Sequence, residues 1–371
     1  MKFSCEKAQL LSAVSITGKV ASPKSAIPAL EGLLLEANER LSVSGYDQKT
    51  GIKTELPAEV TEAGSIVINA RLLGEIIRKL PNDIVTFSVG KDNMANITSG
   101  PSEFNILGTP AADYPELPAV NAKSSIQLPQ GTLKKMIAET LFAVSDNESR
   151  PVHTGSLFEL ESDTLTVVSV DGYRLALRRE RLKKSKMADT KFIVPGSALG
   201  EVEKIALDSE DLVIISLGEK HILFSMKDTV VLTRRLEGDF LNWRQAIPQS
   251  NKIRLTVDKR DFMNAVDRVS LIISEKQKSP VRCLFSDEKV ELSSVTALGK
   301  AKDVCPISGD GKDIEIGFNN RYLLDALKAA PADTVSIYLN TSVSPCTIGP
   351  ADDSDGFTYL VLPVRLKAGE V

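Results

Sequence analysis

Few residues of this 371-residue chain have the types and spacing that enzymatic chemistry needs. Ser4 and Lys7 have the Ser-x-x-Lys spacing of a nucleophile and its base, but this short coincidence falls on a helical pattern. His153 and His221 lie in unrelated contexts and indicate no metal pair. The sequence has no Walker A loop and no Gly-x-Gly-x-x-Gly, His-Glu-x-x-His or Gly-x-Ser-x-Gly motif. These observations predict a binding protein that is not an enzyme and needs no cofactor.

The remaining metal or redox candidates are equally weak. The four cysteines, at positions 5, 283, 305 and 346, match no zinc or redox spacing, and we expect reduced structural thiols. The acidic residues around Asp352 are similar to a calcium loop, yet the loop would begin at Ala351 and have Leu362 where glutamate is required. The sequence therefore predicts no metal site.

The elements that must position any site come from a stretch that occurs three times. Its copies are NARLLGEIIRKLP (69–81), PGSALGEVEKIAL (195–207) and NNRYLLDALKAAP (319–331), and their central leucines are 126 and 124 residues apart. In the first copy Leu72, Leu73, Ile76, Ile77 and Leu80 form an apolar stripe at helical spacing. Asn69 and Asn319 are predicted N-caps, and Pro81 and Pro331 are stop signals. The chain is therefore predicted to contain three copies of one unit.

Each copy combines two helical patterns with several strand patterns. The second copy, for example, has an apolar helical face from Leu133 to Val144, a hairpin pattern at residues 156–171 and the strands LVIISL and HILFSM. Helices covering one face of antiparallel strands predict an α+β fold of three tandem domains, forming an elongated arc. We place the domains at residues 1–122, 123–249 and 250–371, with short joins.

Composition indicates an ordinary globular protein. Hydrophobic residues make up 42% and charged residues 25% of the chain, and no apolar run is long enough to span a membrane. The N-terminus lacks a signal-peptide pattern, so we expect a cytoplasmic location. The net charge of −4 argues weakly against nucleic-acid binding, although it says nothing about where the charges lie.

Motifs in all three copies carry a specific resemblance. IPALEGLLLE (27–36), TPAADYPEL (109–117), VDGYRLA (170–176), EIGFNNRYLLDAL (315–327) and YLVLPVRL (359–366) resemble the bacterial DNA sliding clamps, the beta subunits of the replicative DNA polymerase. The resemblance covers essentially the whole chain, with the motifs in the family's order. One departure is the tail KAGEV (367–371), since the family usually stops at the equivalent of Arg365-Leu366.

The resemblance implies a DNA clamp fold that closes as a head-to-tail homodimer into a ring around double-stranded DNA. It places Phe104 and Ile106 of one copy against Ile272 and Ile273 of the other. Six two-helix layers would line the hole, and cations on their polar faces, together with two loops, would contact DNA without sequence specificity. The residues expected to bind DNA are Lys24, Arg71, Arg78, Lys79, Lys134, Lys135, Arg150, His153, Arg260, Arg268, Arg321 and Lys328.

The resemblance also implies a hydrophobic pocket between the second and third domains. It would bind Gln-Leu-x-Leu-Phe-like peptides of the polymerase alpha subunit, the clamp loader, other polymerases and repair proteins. The pocket residues carried over are Val170, Gly172, Tyr173, Arg174, Leu175, Leu241, Ala246, Val343, Leu360, Leu362, Pro363, Val364 and Arg365. Leu241, Gln245 and Tyr173 depart from the family's proline, arginine and histidine, which puts the peptide preference of the rim in doubt.

Two other functions compete with a processivity clamp. One is an enzyme with a carboxylate site that no motif marks; the missing motifs argue against it. The other is a tandem-domain interaction scaffold that never encircles DNA. Dimerisation and topological retention on circular DNA distinguish the clamp from both.

Overall fold

The helices of the first and third copies of the repeated stretch begin and end where the sequence places caps and breakers. The computed structural model describes residues 1–121, 124–183, 188–274, 279–352, 354 and 356–366, so the KAGEV tail lies outside the described residues. The helices are α1 (Lys7–Thr17), α2 (Ala70–Lys79), α3 (Gln130–Ala138), α4 (Gly196–Ile205), α5 (Trp243–Ala246), α6 (Lys259–Ser270) and α7 (Asn320–Ala329). Both predicted N-caps are confirmed: Asn69 Oδ1 accepts the Leu72 N–H at 3.0 Å, and Asn319 Oδ1 accepts the Arg321 N–H at 3.0 Å.

Two details of the predicted helices are wrong. The helix of the second repeat was expected to reach Val144, but α3 ends at Ala138, and Leu141–Ala143 form a separate 3-10 turn. Thr140 leaves the helical region, and its hydroxyl bonds the Met136 carbonyl at 2.7 Å. Leu72 was expected in the apolar stripe of α2, yet it is 42% exposed because it lies at the edge of that stripe.

The chain forms two compact units, Met1–Lys134 with Gly200–Arg235 and Lys135–Leu199 with Leu236–Val371. The first unit has a five-stranded sheet, in the order β5-β1-β7-β8-β9, and an eight-stranded sheet, in the order β10-β15-β16-β17-β4-β3-β2-β6. Its strands are β1 (Lys2–Glu6), β2 (Gly32–Ala37), β3 (Leu41–Tyr46), β4 (Thr50–Leu56), β5 (Glu59–Glu62), β6 (Gly64–Asn69), β7 (Ile84–Val89), β8 (Met94–Ser99), β9 (Ser102–Leu107), β10 (Ser124–Pro129), β15 (Leu212–Leu217), β16 (His221–Met226) and β17 (Thr229–Arg234).

The second unit has one ten-stranded sheet, in the order β14-β11-β12-β13-β23-β22-β21-β18-β20-β19. Its strands are β11 (Gly155–Glu161), β12 (Thr164–Val170), β13 (Arg174–Arg181), β14 (Thr190–Pro195), β18 (Ile253–Asp258), β19 (Val281–Thr296), β20 (Gly299–Phe318), β21 (Thr334–Leu339), β22 (Cys346–Pro350) and β23 (Phe357–Val361). All pairings between these described strands are antiparallel, so the predicted α+β class is confirmed.

A shared turn makes the threefold repeat visible in atomic detail. Asp47 Oδ1 accepts the Lys49 N–H at 2.8 Å, Asp171 Oδ1 accepts the Tyr173 N–H at 2.8 Å, and Thr296 Oγ1 accepts the Leu298 N–H at 3.1 Å. Each turn joins the same two strands of its repeat, β3 to β4, β12 to β13 and β19 to β20. The structure therefore confirms a three-domain architecture built from one duplicated unit.

Sheets continue from one repeat into the next at two strand junctions. In the first junction β4 pairs with β17, and Thr50 lies opposite Thr233. In the second junction β13 pairs with β23, and Arg174 lies opposite Val361. Backbone hydrogen bonds therefore join consecutive repeats inside each compact unit.

Apolar cores lie beneath the helices in each unit. Phe3, Leu10, Leu73 and Ile77 are buried in the first unit, and Leu323, the repeat equivalent of Leu73, is buried in the second. In the described part of the chain, no helix combines the length and apolar character needed to cross a membrane.

Candidate functional sites

The first candidate site is a pocket built on the second strand junction. The turn after β12 is fixed by Asp171, whose Oδ1 accepts the Tyr173 and Arg174 N–H groups at 2.8 and 3.0 Å. Gly172 has a φ of +94°, a conformation that favours glycine. The Leu362 N–H donates to the Tyr173 carbonyl at 2.9 Å, so the chain that follows β23 is held beside this turn.

Arg174 lies at the centre of a buried polar network in this junction. Its Nε donates to Asp171 Oδ2 at 2.8 Å, and its Nη1 donates to Asp325 Oδ2 of α7 at 2.6 Å. The guanidinium also lies 4.6 Å from the centre of the Tyr322 ring, and Tyr173 stacks on that ring at 5.9 Å. Arg174 therefore anchors the aromatic rim of the pocket, with its charge balanced by two carboxylates.

An apolar cluster forms the floor beside this network. Val170, Leu175, Leu360 and Trp243 are buried in it, and other partly buried side chains pack against it, including Ala246, Leu362, Phe240 and Val152. Trp243 is covered by Arg244, whose guanidinium lies 4.2 Å from the ring and forms ion pairs with Glu159 and Glu161 at 2.9 and 2.8 Å. The cluster is thus a packed apolar floor beneath the junction.

An open cavity of about 190 Å³ adjoins this floor. It is lined by Ser342, Val343, Leu362, Pro363 and Arg365. Val343 is 69% exposed, while the Val364 N–H donates to the Gly317 carbonyl at 2.8 Å and fixes the segment after β23. Tyr173 and Leu241 are exposed at the rim. The structure thus brings the carried-over residues onto one unit, either in the apolar cluster, in the cavity or at the rim.

Four contributors to this pocket were missed by the sequence reasoning. Asp171 and Asp325 hold Arg174, Tyr322 supplies the ring beneath it, and Trp243 supplies the floor. The equivalence of Asp171 with Asp47 was visible in the repeat, and Trp243 is the only tryptophan of the chain. Nothing local marks Asp325 or Tyr322, which lie about 150 residues from Arg174 in the sequence.

A second candidate surface is the polar face of α2. Arg71, Arg78 and Lys79 are exposed there, and Arg71 Nε bonds Glu75 at 2.9 Å. A cavity of about 300 Å³ lies between α1 and α2 and is lined by Lys19, Arg71 and Arg78 among other residues. Lys24, in the loop that follows α1, is also exposed. These side chains are available to an anionic ligand.

The cations predicted on the other helices differ in their surroundings. Lys134 is half-buried, whereas Lys135, Arg260 and Lys328 are exposed. Arg268 is paired with Asp303, and Arg321 lies 3.9 Å from Asp325. These carboxylates offset part of the charge that Arg268 and Arg321 would offer to DNA.

Arg150 and His153 lie in the same loop but in different environments. Arg150 is exposed, whereas the His153 ring meets the Phe240 ring edge-on at 5.8 Å, beside the apolar floor of the pocket. Burial, together with the nearby Arg150 charge, lowers the pKa of His153. His153 thus lies at the edge of the apolar cluster.

The residues predicted to mediate self-association lie on an edge strand of the first unit and after α6 in the second unit. In the first unit, β9 ends its sheet, with Phe104 and Ile106 packed on the core and Leu107 71% exposed. In the second unit, the part of β20 after Gly299 pairs with β19, and Leu298 in the preceding turn is 78% exposed. Ile272 and Ile273 are half-buried after α6, and Ile273 packs on the core.

The cysteines fit the expected structural role. All four are free and buried, and burial raises the pKa of the Cys5 thiol to about 12 and that of Cys305 to about 11. Such thiols are poor nucleophiles and poor metal ligands at neutral pH. Among the described residues, no cluster of three or more His, Cys, Asp or Glu side chains could hold a metal ion.

The arrangement defines a three-domain clamp fold of repeated helix and sheet units. Protein-family models of the DNA polymerase III beta subunit match the chain in three parts: the N-terminal domain at residues 1–118, the central domain at 127–242 and the C-terminal domain at 244–365. The chain therefore belongs to the family of bacterial beta sliding clamps, the beta subunits of DNA polymerase III.

Individual relatives agree over the full length. The beta sliding clamp of Staphylococcus epidermidis is 34% identical, over 98% of this chain and 99% of its own. The crystal structure of the DNA polymerase sliding clamp from Bacillus subtilis is 31% identical, with a TM-score of 0.93 over 99% of this chain and 100% of its own. A beta subunit from Eubacterium rectale is 33% identical, with a TM-score of 0.92 over 98% and 99%. As a member of this family, the chain is a non-catalytic accessory subunit and processivity factor of DNA polymerase III in DNA replication.

Proposed function

We propose that two copies of this chain close head to tail into a ring around duplex DNA. The ring slides without sequence specificity and tethers the polymerase alpha subunit through the pocket at the second strand junction. The clamp loader, other polymerases and repair proteins bind the same pocket with similar peptides. The three domains extend over residues 1–122, 123–249 and 250–371, and the protein acts on DNA in the cytoplasm.

The proposal rests on two of the described strands, one in the first repeat and one in the third, that lack the inter-repeat partner found at the two internal junctions. In both junctions inside the chain, the last strand of one repeat pairs with the fourth strand of the repeat before it. The third repeat has an equivalent fourth strand, the part of β20 after Gly299, and the first repeat has an equivalent last strand, β9. A third junction of the same kind can form only between two copies, and two such junctions close a ring.

The register of the internal junctions extends to this third junction. Because Thr50 pairs with Thr233 and Arg174 with Val361, the equivalent pair is Gly299 of one copy with Ile106 of another. Glu103 then lies opposite Lys302, and Leu107 lies opposite Leu298. Opposite charges and exposed leucines therefore meet, which supports the pairing energetically. Phe104 and Ile106 would approach Ile272 and Ile273 behind the strands.

Weak cationic contacts to DNA suit a sliding ring. Arg71, Arg78 and Lys79 on α2 are exposed and can contact phosphates, which carry no sequence information. The remaining DNA contacts of the proposal are Lys24, Lys134, Lys135, Arg150, His153, Arg260, Arg268, Arg321 and Lys328. The contribution of Arg268 and Arg321 is reduced by Asp303 and Asp325, and that of His153 by its packing on Phe240. Retention on DNA then depends on ring closure more than on affinity.

Retention on circular and linear DNA of equal length tests the proposal. After loading by a clamp loader and ATP, the protein should remain on nicked circles through gel filtration and be lost from linear duplex at the same salt. A mass measurement should give a dimer. A monomer, or equal retention on both DNA forms, would indicate a tandem-domain scaffold that never encircles DNA.

The pocket is tested separately with a peptide of the Gln-Leu-x-Leu-Phe type. Val343→Glu places a charge beside the cavity at an exposed position, so folding should be unaffected while peptide affinity falls at least tenfold. Leu207→Glu, at an exposed leucine after α4, is the control because it lies outside the pocket and outside the proposed third junction. Equal peptide affinity in wild type and Val343→Glu would show that the peptide binds at another place on the protein.

A further inference from the structure

The first strand junction has the same backbone framework as the junction that forms the peptide pocket. Asp47 Oδ1 accepts the Lys49 and Thr50 N–H groups at 2.8 and 2.6 Å, as Asp171 does for Tyr173 and Arg174. The Arg234 N–H donates to the Lys49 carbonyl at 3.1 Å, as the Leu362 N–H does to the Tyr173 carbonyl at 2.9 Å. Lys49 is therefore equivalent to Tyr173, and Arg234 to Leu362.

The side chains on this shared framework are opposite in character. Where the second junction has Tyr173, Leu362 and Pro363, the first has Lys49, Arg234 and Arg235. Lys220 adds a further cation, because its carbonyl accepts the Arg235 N–H at 3.0 Å, and His221 pairs with Arg234 between β16 and β17. These five residues, Lys49, Lys220, His221, Arg234 and Arg235, form what we call the first-junction patch.

Three of the five residues lie in a row. His221 lies directly opposite Arg234 on one neighbouring strand. On the other side, the register that pairs Thr50 with Thr233 places Lys49 opposite Arg234. His221, Arg234 and Lys49 therefore share one face of the sheet. Burial, together with the charges of Arg234 and Lys220, lowers the pKa of His221. Lys49, Lys220 and Arg234 are exposed.

Few negative groups offset this charge. Asp47 and Glu219 are the acidic residues on the same turns, and Asp47 Oδ1 is already occupied by two backbone N–H groups. Within the described part of the chain, neither Lys49, Lys220, Arg234 nor Arg235 forms a salt bridge. Cations without carboxylate partners are available for an external anion.

We propose that the first-junction patch binds the phosphate backbone of DNA, as a contact site distinct from the helix faces. A peptide with leucine or phenylalanine anchors is disfavoured because the apolar residues of the second junction are replaced here by charges. Phosphate contacts need only exposed cations in a row, since successive phosphates present a charge at regular spacing. The duplicated framework has thus diverged into one junction for peptides and one for DNA.

The test compares two double variants of the full-length protein that remove the same charge. Lys49→Gln with Arg234→Gln neutralises the row, and Lys91→Gln with Lys191→Gln neutralises two exposed lysines outside it. Binding of a fluorescently labelled duplex is measured by anisotropy across a salt series. Loss of two phosphate contacts should lower the slope of log affinity against log salt by about 2, and the affinity at low salt should fall roughly 3- to 10-fold. The control should retain the wild-type slope.

Two further measurements separate this inference from the proposed function. Arg71→Gln with Arg78→Gln tests the helix-face contacts independently, and peptide affinity should be unchanged in the Lys49/Arg234 variant. A wild-type slope in the Lys49/Arg234 variant would overturn the inference, and so would equal losses in the Lys91/Lys191 control. If that variant instead loses binding only to a polyglutamate peptide, the patch is an acidic-protein site and the DNA assignment is wrong.

Discussion

Arg174 Nη1 donates to Asp325 Oδ2 across 2.6 Å, joining the start of β13 to helix α7. The pair is largely shielded from solvent, and Asp171 and the Tyr322 ring complete the surroundings of the guanidinium. A charge network of this kind fixes the side chains around it, because each partner would be costly to leave unpaired. The network therefore holds together the turn, the start of β13 and α7 at the edge of the proposed pocket.

Replacement of Arg174 by alanine should cost both stability and peptide affinity. Asp325 would lose its buried partner and Tyr322 its cation, so we expect a loss of about 2–3 kcal/mol in unfolding free energy and at least a tenfold loss in peptide affinity. Chemical denaturation and fluorescence anisotropy with a labelled peptide measure the two effects.

Arg321→Gln is the matched control for Arg174. Arg321 Nε lies 3.9 Å from the same Asp325 carboxylate, but its side chain is 77% exposed, so its loss should change stability by no more than about 0.5 kcal/mol. If both arginine variants behave alike, the buried network does not determine the shape of the rim.

A charge exchange across the proposed third junction tests its register. Glu103→Lys would place two lysines opposite each other at both junctions of a ring, at a cost of roughly 1 kcal/mol each, so the dimer dissociation constant should rise about 30-fold. Lys302→Glu in the same chain should restore dimerisation. Analytical ultracentrifugation of wild type, both single variants and the double variant gives the coupling.

The hydrophobic residues behind those strands provide a second check on the same interface. Ile272→Ala with Ile273→Asp should yield monomers, because Ile273 already contacts the core edge and the introduced carboxylate would be buried on pairing. A dimer that survives this change while responding to Glu103→Lys would place the interface on the strands alone.

Local features of the fold were predictable, and long-range features were not. Asn69 and Asn319 cap their helices, and Leu73 is buried, because capping and helical periodicity involve only residues within a few positions. The pairing of β4 with β17 joins residues more than 170 positions apart, and no pattern in either strand specifies it. The Arg174–Asp325 pair was missed for the same reason.

The candidate site shows the same limit. The apolar pocket residues came from the resemblance, and the structure gathers them on one unit, but it also packs His153 against Phe240 at the edge of the apolar cluster. The sequence could not reveal this contact, because it depends on how the Arg150 loop folds over a segment almost ninety residues later. Exposure at the stripe edge, as for Leu72, likewise depends on tertiary packing.

A glycine inside α2 provides a stabilising prediction. A Cβ added at Gly74 would lie 3.8 Å from Val14 Cγ1, an ordinary contact, so Gly74→Ala should stabilise the protein by about 0.5–1 kcal/mol through helix propensity. Gly45→Ala is the contrasting variant, because its Cβ would lie 2.1 Å from the Thr17 carbonyl oxygen and force the backbone apart. Thermal unfolding should therefore shift in opposite directions for the two variants.

The buried Glu139 gives the protein a predictable pH dependence. Burial raises the pKa of Glu139, and the Arg178 guanidinium, whose Nε lies 3.2 Å away, only partly opposes this effect. The folded protein therefore holds the Glu139 proton more tightly than the unfolded chain does. The resulting stabilisation is complete below the unfolded pKa and is lost as the pH rises through the folded pKa.

Glu139→Gln removes this titrating group and should change how the stability of the protein depends on pH. As the pH rises from about 4.5 towards neutrality, the denaturation midpoint of the variant should increase relative to that of wild type, because only wild type must ionise a buried carboxyl. Glu116 is exposed, so the denaturation midpoint of Glu116→Gln should change with pH in the same way as that of wild type. A constant difference between Glu139→Gln and wild type across this range would mean that Glu139 ionises as easily in the folded protein as in the unfolded chain.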